Sequence, residues 1–271
     1  MSGDIKNFYG ETIAPSDVKF FFVYCPNNSG STALTQYVGK QLSAYIPPHR
    51  CNEGQALGKV RAIFKAEPKW GPKRELDWPL VRKKWASYSG ESIFIEGSPS
   101  TMMGHESLTE TFGHDSSALL SVCDPYMHVA SSIRRYSLHF LETAANRWIS
   151  FKSKRIIDIR KDNPHFPFIP YEQFTANPQA INDALGIPFR GADIDGKVAS
   201  GLRGVKSGYV RAVAYLLPEE VNRITDILRR REGRVKRLGY KLRGPEILEE
   251  AKAMDPEEFA IGVGRRERAI H

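Results

Sequence analysis

Apolar residues in this chain fall alternately into unbroken runs and into stripes of helical spacing. The first run, Lys19 to Cys25 (KFFFVYC), predicts a buried strand. It breaks at Pro26-Asn27-Asn28-Ser29-Gly30. From about Ser31 to Tyr45, Leu34, Tyr37, Val38, Leu42 and Tyr45 then recur at helical spacing until Pro47-Pro48 ends the pattern. SIFIEG (Ser92 to Gly97) and ALLSVC (Ala118 to Cys123) predict two more strands. After Asp124-Pro125 a helix is predicted from about Tyr126 to Leu141, with Val129, Ile133, Tyr136 and Phe140 as one apolar stripe. Further on come a helix from about Thr143 to Asn163 and a strand in PHFPFIPYEQF that turns near Glu172. A helix from about Asn177 closes at Gly186, and residues 190 to 210 read as a loop. LLPEEVNRITDILRRR predicts a well-signalled helix, with Pro218 in its first turn, Glu219 and Glu220 at its positive end and Arg229 to Arg231 at its negative end.

Strands alternating with helices predict an α/β fold in three α/β/α layers around a central parallel sheet. Residues 1–243 are expected to form that domain, entered through a polar, turn-rich arm and carrying a helical insertion at about 51–90. Residues 244–271 are expected to be a charged C-terminal appendage. In the insertion, Trp70, Trp78 and Trp85 lie among Lys69, Lys73, Arg74, Arg82, Lys83 and Lys84. Such a segment either stacks on bases or sugars or anchors a helical insertion through its rings, and the second reading is preferred. In parallel sheets ligands sit beyond the carboxyl ends of strands. Pro26 to Thr32, Glu96 to Ser100 and Cys123 to Ser131 all fall at such ends.

Charge then narrows the ligand. A formal net charge of +8 favours an anionic partner. Three cysteines without CxxC spacing offer neither a disulfide framework nor a zinc site, and no metal is expected. Neither a signal pattern nor a membrane-length apolar run is present, so a cytoplasmic protein is expected. The break after the first strand is built to hold an anion. A helix opening on Ser31 and Thr32 offers unpaired N–H groups and partial positive charge, which suit a phosphate or sulfate group. No Lys occurs between Pro26 and Val38, so the loop lacks the cation of a nucleoside triphosphatase P-loop.

Four segments, in order, carry a family resemblance. PNNSGSTAL resembles the 5′-phosphosulfate loop of sulfotransferases, and VCDPYMHVASSIRRY is similar to their second signature, with Asp124, Pro125 and Ser131 in the matching places. IPYEQFTANPQAINDALGIPF resembles a late family segment, and RLGY (Arg237 to Tyr240) a closing one. The resemblance spans roughly residues 18–240. It implies a P-loop-like sulfotransferase fold that moves a sulfuryl group from 3′-phosphoadenosine 5′-phosphosulfate to a hydroxyl or amine. The resemblance at Glu96 and the three Trp residues points towards a carbohydrate acceptor, a glycan or glycolipid, while a small alcohol, a phenol or a peptide stays open; no nucleic acid partner is expected. By the same resemblance Asn27, Asn28, Ser29, Gly30, Ser31 and Thr32 hold the 5′-phosphosulfate. Ser131 and Arg203-Gly204 hold the 3′-phosphate, with Lys206 as a second candidate, and Cys123 stands at a further cofactor-binding place. Glu96 in IEGSPS is the general base, with Ser98 as a helper, and Asn28 is the other catalytic residue. His105, His114 and His128 are alternative bases.

The chain departs from the family pattern in one direction, the loss of positive charge. Asn28 stands for the loop's Lys or Arg beside the leaving phosphate, Gly97 for the Lys after the Glu, and Cys123 for the Arg before Asp-Pro. A neutral donor is weaker than a charged one. Either Arg134, Arg135, Arg203 and Lys206 compensate, or the chain is a non-catalytic nucleotide-binding or anionic-polymer-binding protein on the same fold.

Overall fold

The aromatic run after Lys19 becomes the middle strand of a parallel sheet. A computed structural model describes residues 5–68, 71–190 and 205–270. In chain order the strands are β1 (Ile5–Lys6), β2 (Thr12–Ile13), β3 (Phe20–Tyr24), β4 (Phe94–Glu96) and β5 (Ser116–Leu120). The helices before β5 are α1 (Ser31–Gln41), α2 (Gly58–Lys65), α3 (Trp78–Ser89) and α4 (His105–Phe112). After it come α5 (Pro125–Arg135), α6 (Leu141–Arg147), α7 (Ser153–Asp162), α8 (Tyr171–Ala176) and α9 (Gln179–Leu185). They are followed by α10 (Val205–Val213), α11 (Pro218–Arg229), α12 (Glu232–Arg237), α13 (Glu246–Met254) and α14 (Pro256–Ile270).

The chain divides into two compact units. The first holds the described residues within Met1–Val122, Asp158–Ile169 and Asn177–Ile194; the second holds the remainder, from Cys123 onward. In the first unit the sheet order is β4-β3-β5, all parallel, with Phe22 opposite Glu96 and Ala118. Alternation along β3 sorts its side chains between two helical layers. Phe20 and Phe22 meet Phe112 of α4, and Phe22 also meets Trp85 of α3, which stacks on Phe94. Ile95 faces the other way, against α1 at Gly39. The result is the expected three-layer α/β/α arrangement, with Glu96 on the α3 side and Gly97 on the α1 side.

Trp78 and Trp85, expected to be ring anchors or stacking platforms, are core residues and unavailable to any base or sugar. Trp70 lies outside the described residues. The N-terminal arm is more ordered than expected. β1 and β2 pair antiparallel, Phe8 is buried against Phe22, Tyr24 and Phe166, and the Asn7 amide accepts the N–H groups of Tyr9 and Glu11. The strand predicted in PHFPFIP shrinks to a single parallel bridge between Leu120 and Phe168. Pro164, Pro167 and Pro170 have no N–H to give a ladder. The chain after it forms α8 rather than a turn.

The second unit is helical. The stripe predicted through Phe140 is cut short, because α5 ends at Arg135 and leaves Tyr136 exposed while Val129 and Ile133 stay buried. Between α6 and α7 the residues Trp148–Lys152 form a π-turn, in which the N–H of Ser153 reaches the carbonyl of Trp148. Helix α11 begins as read, with Pro218 at its start and the Glu220 carboxylate accepting the Leu217 N–H at 2.9 Å. Residues 244–270 supply α13 and α14. Gly262 of α14 lies against Arg211 and Ala214, and Arg211 pairs with Glu258 at 2.6 Å. Among the described residues no helix is long and apolar enough to cross a membrane.

Candidate functional site

In the first unit the chain leaves β3 into a tight turn closed by the Ser29 N–H on the Pro26 carbonyl, 3.2 Å. The buried Cys25 thiol donates to the Ser29 carbonyl at 3.1 Å, so this cysteine shapes the loop. Two residues take left-handed backbone: Asn28 at φ 60° and Gly30 at φ 86°. That gives the first charge departure a structural reason. Asn tolerates left-handed φ better than Lys or Arg, for which the conformation costs about 1 kcal/mol. Gly30 is the N-cap of α1 and supplies no side-chain cap, which leaves the first-turn N–H groups of Ser31, Thr32 and Ala33 facing out of the helix. The 11-residue helix adds its dipole at that point.

The second departure is steric. A side chain at Gly97 would begin 1.9 Å from Oγ1 of Thr35, so the second turn of α1 occupies the space a Lys stem would need. That hydroxyl is buried and has no hydrogen-bond partner among the described residues. Ser31, Thr32 and Thr35 thus place hydroxyls along the first two turns of α1. The sequence displayed that spacing, but Thr35 was not singled out.

Glu96 is buried at the carboxyl end of β4. One carboxylate oxygen accepts the Ser98 N–H at 2.6 Å and the other the Gly54 N–H at 2.7 Å. Trp85 donates its indole N–H to the Gly54 carbonyl at 3.2 Å, the Gln55 N–H reaches the Ser98 hydroxyl, and Ser100 donates to the Gln55 side chain. A Cβ on Gly54 would stand 2.1 Å from Glu96, so only glycine admits this contact. Burial pushes the Glu96 carboxyl up to about 8, opposed by the side chain and N–H of Ser98; nearby Glu53 adds to the rise, and the Gly54 N–H opposes it. The turn at 54–56, which the sequence did not single out, is therefore bound to the segment 96–100 by a buried acid.

In the second unit Asp124 caps α5, accepting the N–H groups of Tyr126 and Met127. Its own N–H donates to Glu172 at 2.8 Å, and the Tyr240 hydroxyl donates to the other Glu172 oxygen at 2.7 Å. Three of the four family-like segments thus meet at Glu172. Burial raises both carboxyls; the N–H groups of Met127 and Tyr126 and the Arg243 charge oppose the rise at Asp124, whereas at Glu172 the Asp124 charge adds to it. Cys123 is buried, with its carbonyl taking the Trp148 indole N–H. A buried cation lies in the same unit: Lys152 Nζ is 3.0 Å from Nε2 of His128. Lys152 carried no sequence signal, because only the π-turn brings it to this place.

Ser131 lies partly exposed on α5. Arg203 and Gly204 are outside the described residues, as is the side chain of Lys206. Of the alternative bases, His105 is held between the Tyr24 hydroxyl and the Asn163 amide, His128 is buried beside Lys152, and His114 is exposed. Among the described residues no cluster of three or more metal-type ligands forms.

No protein-family model matches the chain, and no curated protein matches it. Among solved structures it is similar to a sulfotransferase domain from the curacin biosynthetic pathway. The TM-score is 0.47 and the identity 16%, over 83% of this chain and 99% of that one. It is also similar to a sulfotransferase domain from the Synechococcus PCC 7002 olefin synthase, with TM-score 0.41 and 18% identity over 73% of this chain and 95% of that one.

Proposed function

We propose that the chain is a sulfotransferase that takes its sulfuryl group from 3′-phosphoadenosine 5′-phosphosulfate. The observation that carries this reading is the loop Pro26 to Thr32. It joins the middle strand of a parallel sheet to an uncapped helix N-terminus, with left-handed backbone at Asn28 and Gly30 and hydroxyls at Ser31 and Thr32. Such a loop holds a compact anion through N–H groups, and the family-like segments select a phosphosulfate. In the transfer, an acceptor oxygen bonds to sulfur, the bond from sulfur to the phosphate oxygen breaks, and that oxygen keeps the electron pair. The first-turn N–H groups and the Asn28 amide stabilise the charge gathering there. The acceptor proton goes to Glu96, which is competent only when ionised, so turnover should rise with pH towards about 8. The assignment of Ser131, Arg203, Gly204 and Lys206 to the 3′-phosphate, and of Cys123 to cofactor binding, rests on the sequence resemblance. A carbohydrate and a small alcohol are the first acceptors to try; Trp78 and Trp85, being in the core, give no support to a glycan.

Calorimetry with 3′-phosphoadenosine 5′-phosphate tests the donor. Saturable binding is expected, weakened about tenfold in Ser31→Ala plus Thr32→Ala. Absence of binding at millimolar ligand overturns the reading. The neutral residues at 28, 97 and 123 favour one second reading, a nucleotide binder without turnover. Binding with no transfer to any member of a broad acceptor panel would select it.

A further inference from the structure

The donor reading concerns α5 as far as Ser131. The other end of that helix carries a separate feature within the second unit. A cleft of about 380 Å³ opens where Arg134, Ser137 and His139 from the end of α5 and the turn after it meet Tyr215 and Ala269. Arg211 stands near the end of α10, four residues before Tyr215 in the turn that follows, and Arg265 precedes Ala269 by one turn of α14. Arg134 lines the opening itself, Arg265 lies on the face of α14 that carries Ala269, and both Arg265 and Arg211 are close enough to act on the Arg134 charge. Partial desolvation and then the charges of Arg265 and Arg211 hold Arg134 below its ordinary pKa.

Counter-charge there is sparse. Glu258 pairs with Arg211, whereas Arg134 and Arg265 have no acidic partner among the described residues. Among the described residues no carboxylate lines the cleft. The helix dipole accounts for basic residues in the last turn of α5 but not for two more guanidiniums supplied by other helices. Like charges gathered without acids are stabilised by an anion, and guanidinium forks suit phosphate oxygens. Two unneutralised cations match a dianion. The volume lies near the low end for small-molecule sites, which suits a single phosphorylated group rather than a polymer.

We propose that this cleft is a binding site for a phosphate dianion, free or as a small phosphomonoester, held by Arg134 and Arg265 with Arg211 behind them. The site is independent of the sulfotransferase reading.

The test is calorimetric titration of the full chain with inorganic phosphate and, separately, phenyl phosphate, in chloride buffer containing saturating 3′-phosphoadenosine 5′-phosphate. One saturable site is expected, weakened about tenfold or more by Arg134→Gln and likewise by Arg265→Gln. Tighter binding of phenyl phosphate marks a phosphomonoester as the ligand; equal binding marks free phosphate. The proposal is overturned if the native chain binds neither, if both variants bind as the native chain does, or if the bisphosphate nucleotide abolishes binding. Should Arg134→Gln fail to fold, Arg265→Gln decides alone. Failure of the nucleotide itself to bind would count against the donor reading and leave the cleft's result intact.

Discussion

Glu96 turns burial into a measurable pH dependence. Well below pH 4.5 it is protonated in both folded and unfolded chains. As pH rises, the unfolded chain releases this proton at its ordinary value of 4.5, while the folded chain keeps it until about 8. Over that interval the unfolded state gains stability that the folded state does not. The loss is about 1.4 kcal/mol per pH unit, or about 5 kcal/mol once pH exceeds the folded value. Glu96→Gln removes the titration. Its amide keeps one acceptor for Gly54 or Ser98 but turns N–H against the other, a pH-independent cost of about 1–3 kcal/mol. The native chain should therefore be the more stable of the two at about pH 5 and below. The order should reverse between about pH 5 and about pH 7, where the accumulated loss passes about 1–3 kcal/mol, and the difference should level off above about pH 8. Urea unfolding followed by fluorescence of the buried Trp78, Trp85 and Trp148 reads both curves. Asp124 and Glu172 titrate in both proteins and cancel in the difference. A stability difference that stays constant from about pH 5 to about pH 9 would refute the argument.

Three further substitutions probe the packing. Gly97→Ala should cost about 1–3 kcal/mol in urea unfolding, because its Cβ meets the Thr35 hydroxyl. Thr35→Ala should recover part of that loss in a double-mutant cycle, and full additivity would disprove the contact. Glu172→Gln leaves either the Tyr240 hydroxyl or the Asp124 N–H without its acceptor and should cost about 1–3 kcal/mol with an unchanged denaturant slope. An unaltered midpoint would show that this junction contributes little.

The sheet was legible in the sequence because its strands are apolar runs ended by residues that cannot continue them: Pro26, Gly97 and Asp124-Pro125. Helices α1, α9 and α11 were legible through spacing and end residues. The short β1–β2 hairpin was not, since its burial rests on Ile5 and Phe8 in a polar stretch. The strand expected at Phe168 failed on its prolines. At the candidate site, the loop and Glu96 were visible as residue types. Their neighbours Gly54, Gln55, Thr35 and Lys152 were not, because each arrives through tertiary packing. The backbone angle at Asn28 and the crowding at Gly97 give local causes for two losses of charge that a one-dimensional reading could only register as departures.

The π-turn at Trp148–Lys152 also has a meaning in terms of chain length. A wide turn is an ordinary helix holding one residue too many. Excising a single residue there would restore regular winding with the flanking helices nearly in place, and the residues left in the turn would take new directions around the axis. Lys152 would then lose its place beside His128, although no side chain at the pair had been altered. The position of this buried cation is thus set by a count of residues rather than by residue identity.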